Sequence, residues 1–172
     1  MWLERRSDKD LTLEPCYESF KNHLSTLGFT VYPWEFDCIY SEHPLVDIAA
    51  KMGSFYWAFE YKSETDSVSR GVEQLQCYLR WFDYVVLVSE RTFDHRSSPN
   101  YWELKDIGAG LWFYDPAQNK CIQRTNPIIQ NPQRYNRRSV TRKFRVVAKT
   151  GRDLAATKFD SMRQLDLFSF VT

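Results

Sequence analysis

Asp47-Ile48-Ala49-Ala50-Lys51-Met52-Gly53-Ser54-Phe55-Tyr56-Trp57-Ala58-Phe59-Glu60-Tyr61-Lys62 reads as two strands folded back about Gly53-Ser54. A two-residue loop with glycine first suits a type II′ turn, and a turn there pairs residues whose numbers sum to 107. Asp47 is thereby set opposite Glu60. Directly opposed side chains project to the same side of a sheet with Cβ atoms about 5 Å apart. Lys62, two residues beyond Glu60, points the same way. Val46, Ile48, Ala50 and Met52 then share one apolar face with Phe55, Trp57, Phe59 and Tyr61. The other face carries Asp47, Glu60 and Lys62 around the opposed small residues Ala49 and Ala58, and is expected to be wet and hollow.

Two carboxylates on neighbouring strands can share a hard divalent cation, and an ammonium beside them can orient water and stabilise charge on phosphate oxygens. Asp47 and Glu60 with Mg²⁺ or Mn²⁺, and Lys62 alongside, therefore form a candidate centre for phosphodiester hydrolysis. The bland alternative is an ordinary solvated hairpin face on which Asp, Glu and Lys alternate with apolar residues.

The flanking segments have periodicities of their own. Residues 12–27 suit a helix, with Cys16, Tyr17, Phe20, Leu24 and Leu27 on one stripe and Gly28 as its stop. Residues 29–40, interrupted by Pro33, read as a first strand or a broken pair. Residues 68–82 place Val72, Leu75, Leu79 and Phe82 at helical spacing. Residues 84–89 form the continuous apolar run of a buried parallel strand. A further strand is expected over 107–114, turning at Asp115-Pro116 into 120–124.

With its Asp and its Glu-x-Lys so placed, the chain over about residues 12 to 90 resembles the PD-(D/E)xK nuclease superfamily. The resemblance implies an α/β, restriction-endonuclease-like core: helix, three antiparallel strands, helix, parallel strand, here with C-terminal additions. It also implies a magnesium-dependent deoxyribonuclease of DNA repair, recombination or restriction. Gln74 and Tyr78, four apart on the second helix, resemble the Gln-x-x-x-Tyr element of RecB-like members, which implies a positioning role near the metal and the strand. Glu18 resembles the first-helix Glu that many relatives use as a further metal ligand. The chain departs from the pattern at Val46, where the family has Pro; Pro44 is displaced by two positions. A nuclease-fold adaptor that binds DNA or a sliding clamp without cutting is the competing expectation.

The 172 residues, 43% hydrophobic and 16% aromatic, suffice for one core. Residues 1–125 are expected to form it, with 126–172 a basic extension. The four cysteines lie far apart in sequence and suggest neither a zinc ribbon nor a disulfide framework. With no signal-like start and no long apolar run, a cytoplasmic, DNA-associated protein without membrane contact is expected. The net charge of +1 hides a division: through Gln133 there are 13 Lys and Arg against 19 Asp and Glu, and from Arg134 onward 10 against 3. Arg134, Arg137, Arg138, Arg142, Lys143 and Arg145 are candidate contacts to nucleic-acid phosphates. The alternative is a strand over 142–148 with a basic wet face. Gln164, Leu165, Leu167 and Phe168 resemble a sliding-clamp-binding peptide, which needs one hydrogen-bonding Gln and apolar anchors near a chain end. Two-sided cutting of a duplex would favour a homodimer.

Overall fold

The computed structural model describes residues 14–38, 45–92 and 97–150. It is an α/β fold whose six strands form one open sheet in sequence order. The hairpin is β2 (Ile48–Met52) and β3 (Phe55–Lys62), paired from Ile48 with Phe59 to Met52 with Phe55, the register expected from the turn. Gly53 has φ 58° and Ser54 keeps a negative φ, the combination a type II′ turn requires. Before the hairpin come α1 (Glu14–Thr26) and β1 (Thr30–Val31). Gly28, at φ 90°, ends α1 in the left-handed conformation that costs a glycine least. The expected first strand is reduced to these two residues and an isolated bridge between Phe36 and Val46, because Pro33 cannot donate to a ladder.

After β3 the chain crosses through α2 (Val68–Tyr78) to β4 (Tyr84–Ser89), parallel to β3. The order helix, three antiparallel strands, helix, parallel strand is thus present. The α2 helix starts on Ser67, whose side chain accepts the Arg70 N–H, and it stops four residues short of the expected end. A second crossover through α3 (Pro99–Asp106), a helix the sequence reading left unassigned, leads to β5 (Gly110–Asp115). Then β6 (Lys120–Thr125) folds back antiparallel at the edge.

Residues 134–150 are helical and form α4, so the strand alternative for 142–148 is overturned. Nor is this segment an appendage. Val140 and Phe144 enter the same core as α2, and Arg137 forms an ion pair with buried Asp83, which also accepts the Tyr56 N–H at 2.8 Å. Asn136 bonds the Arg80 carbonyl from the same helix. These ties make the described part of the extension integral to the domain.

The sheet is covered on both faces. One face, with Phe20 and Leu24 of α1, gathers Ile48, Ala50, Phe59, Tyr61, Val86, Val88, Trp112 and Tyr114. The other packs Ala49, Ala58, Val85, Leu87 and Leu111 beneath residues of α2, α3 and α4. A strand buried on both sides explains why β4 reads as uninterrupted apolar sequence. Two expectations are corrected here. Ala49 and Ala58 have no exposed surface, so their smallness admits the covering helices and aromatic side chains rather than a ligand. Val46 belongs with the α2 side, because the chain bends at Asp47 and the alternation of β2 does not run back past it.

Candidate active site

The three charged residues of the hairpin do converge, at the end of β3 where the chain also enters β2. Glu60 is fully buried and Lys62 nearly so, while Asp47 keeps part of its surface in solvent. Lys62 Nζ donates to Glu60 Oε1 at 2.5 Å and to Gln74 Oε1 at 2.9 Å. Asp47 Oδ2 accepts the Tyr61 N–H at 2.9 Å, which holds the carboxyl against the start of the Glu60-to-Lys62 segment. The expected wet face is therefore wrong: α2 lies over it. Gln74 and Tyr78, four residues apart on that helix, bring their polar ends to the pair, and the Gly71 backbone passes close to the Lys62 stem.

Tyr78 is both a core residue and a site residue. Its ring is buried, and its hydroxyl lies 2.7 Å from Glu60 Oε2 and 2.8 Å from the Leu45 carbonyl oxygen. A phenol has one proton, and the carbonyl can only accept. The one hydroxyl proton is therefore shared between the Glu60 carboxylate and the Leu45 carbonyl, and the bond to Glu60 favours its charged form. Burial lifts the Glu60 carboxyl above its usual range, against the pull of Lys62. Burial lifts Asp47 well above its own, and the neighbouring Glu60 charge adds to the rise. Two acids crowded out of water with one ammonium between them are short of positive charge.

That shortage is the test of fit for a metal, and the donor set passes it: carboxylate oxygens from two adjoining segments suit Mg²⁺ or Mn²⁺. Glu18 does not join them. It is exposed and paired with Lys21 at 3.0 Å, and among the described residues no three His, Cys, Asp or Glu side chains gather as a ligand group. Tyr17 was missed as a site residue, since its place on the apolar stripe of α1 made it look like core alone; its hydroxyl donates to the Asp47 carbonyl. No local pattern distinguishes Tyr17 from its neighbours in the sequence. Glu90 meets Tyr61 on the α1 side of the sheet and is not part of the Glu60–Lys62 cluster. It follows β4 and accepts the Tyr61 hydroxyl at 2.6 Å.

The basic candidates divide. Arg137 and Lys143 serve the fold, the first on Asp83 and the second on the Asp37 carbonyl and over the Phe36 ring. Arg134, Arg138, Arg142 and Arg145 are exposed. Gln164, Leu165, Leu167 and Phe168 lie outside the described residues. No helix among the described residues is long and apolar enough to cross a membrane.

No protein-family model matches the chain, and neither does any curated protein. Among solved structures, a protein of unknown function from Silicibacter pomeroyi is similar at 21% identity and a TM-score of 0.55, over 81% of this chain and 86% of that one. An XisH family protein from Nostoc punctiforme is similar at 18% identity and a TM-score of 0.47, over 68% of this chain and 99% of that one. A fdxN element excision controlling factor protein from Anabaena variabilis is similar at 19% identity and 0.49, over 69% of this chain and 99% of that one. The likeness to the Silicibacter pomeroyi protein concerns the fold alone.

Proposed function

We propose that the protein is a metal-dependent nuclease that hydrolyses DNA phosphodiester bonds, with Asp47 and Glu60 holding Mg²⁺ or Mn²⁺ and Lys62 acting beside them. The observation that carries this reading is the pair of crowded carboxyls, both raised by burial, with an ammonium held 2.5 Å from one of them. A bound divalent ion would polarise the phosphate and lower the pKa of a water. Lys62 has three N–H groups, of which Glu60 and Gln74 take two, leaving one to orient the attacking water or meet a phosphate oxygen. Gln74 and Tyr78 are positioning residues: the first aims the ammonium, and the second fixes the Glu60 carboxyl against the Leu45 backbone. A cytoplasmic place and a role in repair, recombination or restriction accompany this reading, and a symmetric pair of chains would cut both strands of a duplex.

One observation favours a second reading, the silent DNA-binding or clamp-associated adaptor. Glu60 has no exposed surface and each of its oxygens already has a protein partner. Incubation of the full chain with linear, branched and single-stranded DNA in about 10 mM Mn²⁺ separates the two. The nuclease reading expects cleavage that EDTA stops and that Asp47→Asn or Lys62→Met reduces to background. Cleavage at the parental rate in both variants, or none on any substrate, would overturn it.

A further inference from the structure

We infer that the outer face of α4 is a preformed track for the sugar–phosphate backbone of duplex DNA, separate from the carboxylate site. At 100° per residue, Arg134, Arg138, Arg142, Arg145 and Lys149 fall within an arc of about 80°. All five are exposed, and among the described residues none has an acidic partner. The core stripe of the same helix, Asn136, Val140 and Phe144, lies on the opposite side. The basic side chains follow one another every three or four residues, roughly 5–6 Å apart, over a ridge of about 22 Å. Arg137 and Lys143, which occupy other angles, are the two basic residues that turn inward.

The ridge is rigid for a physical reason. The Arg137–Asp83 ion pair, the Asn136 bond to Arg80 and the Phe144 contacts with Tyr32, Phe36 and Tyr56 fix the helix from Asn136 to Phe144. Charges already held in line lose little entropy when they meet a polyanion of matching straightness. A duplex fits better than a single strand, which needs aromatic platforms for its bases; the exposed aromatic residue on α4 is Tyr135. An anionic membrane fits worse, because an amphipathic helix enters a lipid surface with its apolar face, and here that face is committed to the core. The assignment deepens the nuclease reading and rests on it for DNA as the polyanion, while binding itself needs no metal.

The test is fluorescence anisotropy of the full chain with a duplex of about 20 base pairs in EDTA, across a range of salt. Five phosphate contacts give a slope of log K against log salt of about −4.5. In Arg138→Gln/Arg142→Gln/Arg145→Gln the slope is expected to shrink by about 2.7 and affinity near 0.15 M salt to fall roughly a hundredfold. Arg142→Gln alone should remove about 0.9, which keeps the proposal testable if the triple variant folds poorly by circular dichroism. Because the binding assay runs in EDTA, where the proposed cleavage cannot proceed, loss of the track reads out separately from loss of cleavage. Lys120→Gln, in the strand at the far edge of the sheet, should change neither quantity. An unchanged slope in the ridge variants, an equal loss in Lys120→Gln, tighter binding of single strands, or ridge-dependent binding to phosphatidylserine vesicles without ridge-dependent duplex binding would each overturn it.

Discussion

Asp47→Asn should make the protein more stable at neutral pH, and on the nuclease proposal it should also abolish cleavage. The carboxyl of Asp47 is raised well above its usual range, by burial first and by the Glu60 charge second, with the Tyr61 N–H and Lys62 pulling the other way. Like charges about 5 Å apart repel by about 3 kcal/mol at an effective dielectric near 20. Neutralising Asp47 relieves that repulsion and forfeits the weaker attraction to Lys62, and the Asn oxygen can still accept the Tyr61 N–H. The net gain is on the order of 2 kcal/mol, or about 4–8 °C in Tm for a chain of this length. The pH dependence fixes the sign. A carboxyl whose folded pKa exceeds its unfolded value near 4 contributes fully below that value and loses its contribution as pH rises through the folded pKa. Urea melts of parent and variant should therefore coincide near pH 4 and separate in favour of the variant toward pH 8. A surface carboxylate would change stability by less than about 0.5 kcal/mol with no such divergence. A variant less stable than the parent at pH 7.5, or a gap that widens toward acid, would refute the argument.

Three further outcomes follow from the same geometry. Mg²⁺ at about ten times its Kd should add about 1.4 kcal/mol to parental stability at pH 7.5, less near pH 5 where protons compete, and nothing in Glu60→Gln, as thermal melts would show. Gly71→Ala places a Cβ 2.6 Å from Leu87 Cδ1 and 2.9 Å from Lys62 Cε, so denaturant melts should show a loss of about 1–3 kcal/mol and cleavage should slow as the ammonium is displaced. Arg137→Gln removes the partner of Asp83 and should cost about 2 kcal/mol, discounted because the arginine is 39% exposed, yet leave the salt slope of DNA binding unchanged. A slope reduced by one unit would instead put Arg137 on the track.

The local pattern determined the hairpin. Gly53-Ser54 dictates the turn, the turn dictates the register from Met52–Phe55 to Ile48–Phe59, and a period of two puts Lys62 on the same side as Glu60, while Asp47, at the bend just past the ladder, is held there by the Tyr61 N–H. The helical stripes of α1 and α2 and the apolar run of β4 were legible for the same reason, each being a periodicity carried by neighbours in sequence. What covers a sheet face is not a local property. Ala49, Glu60 and Lys62 look solvated along the strand, and only the arrival of α2, with α4 in the same core, buries them. Likewise six basic residues in a row of letters looked equivalent, until helix packing sent Arg137 to Asp83 and Lys143 to Asp37 and left the others facing water. Sequence alone set which chemical groups lie near one another along the chain; tertiary packing decided which of them lost their water, and that loss is what lifts the pKa of two ordinary carboxyls.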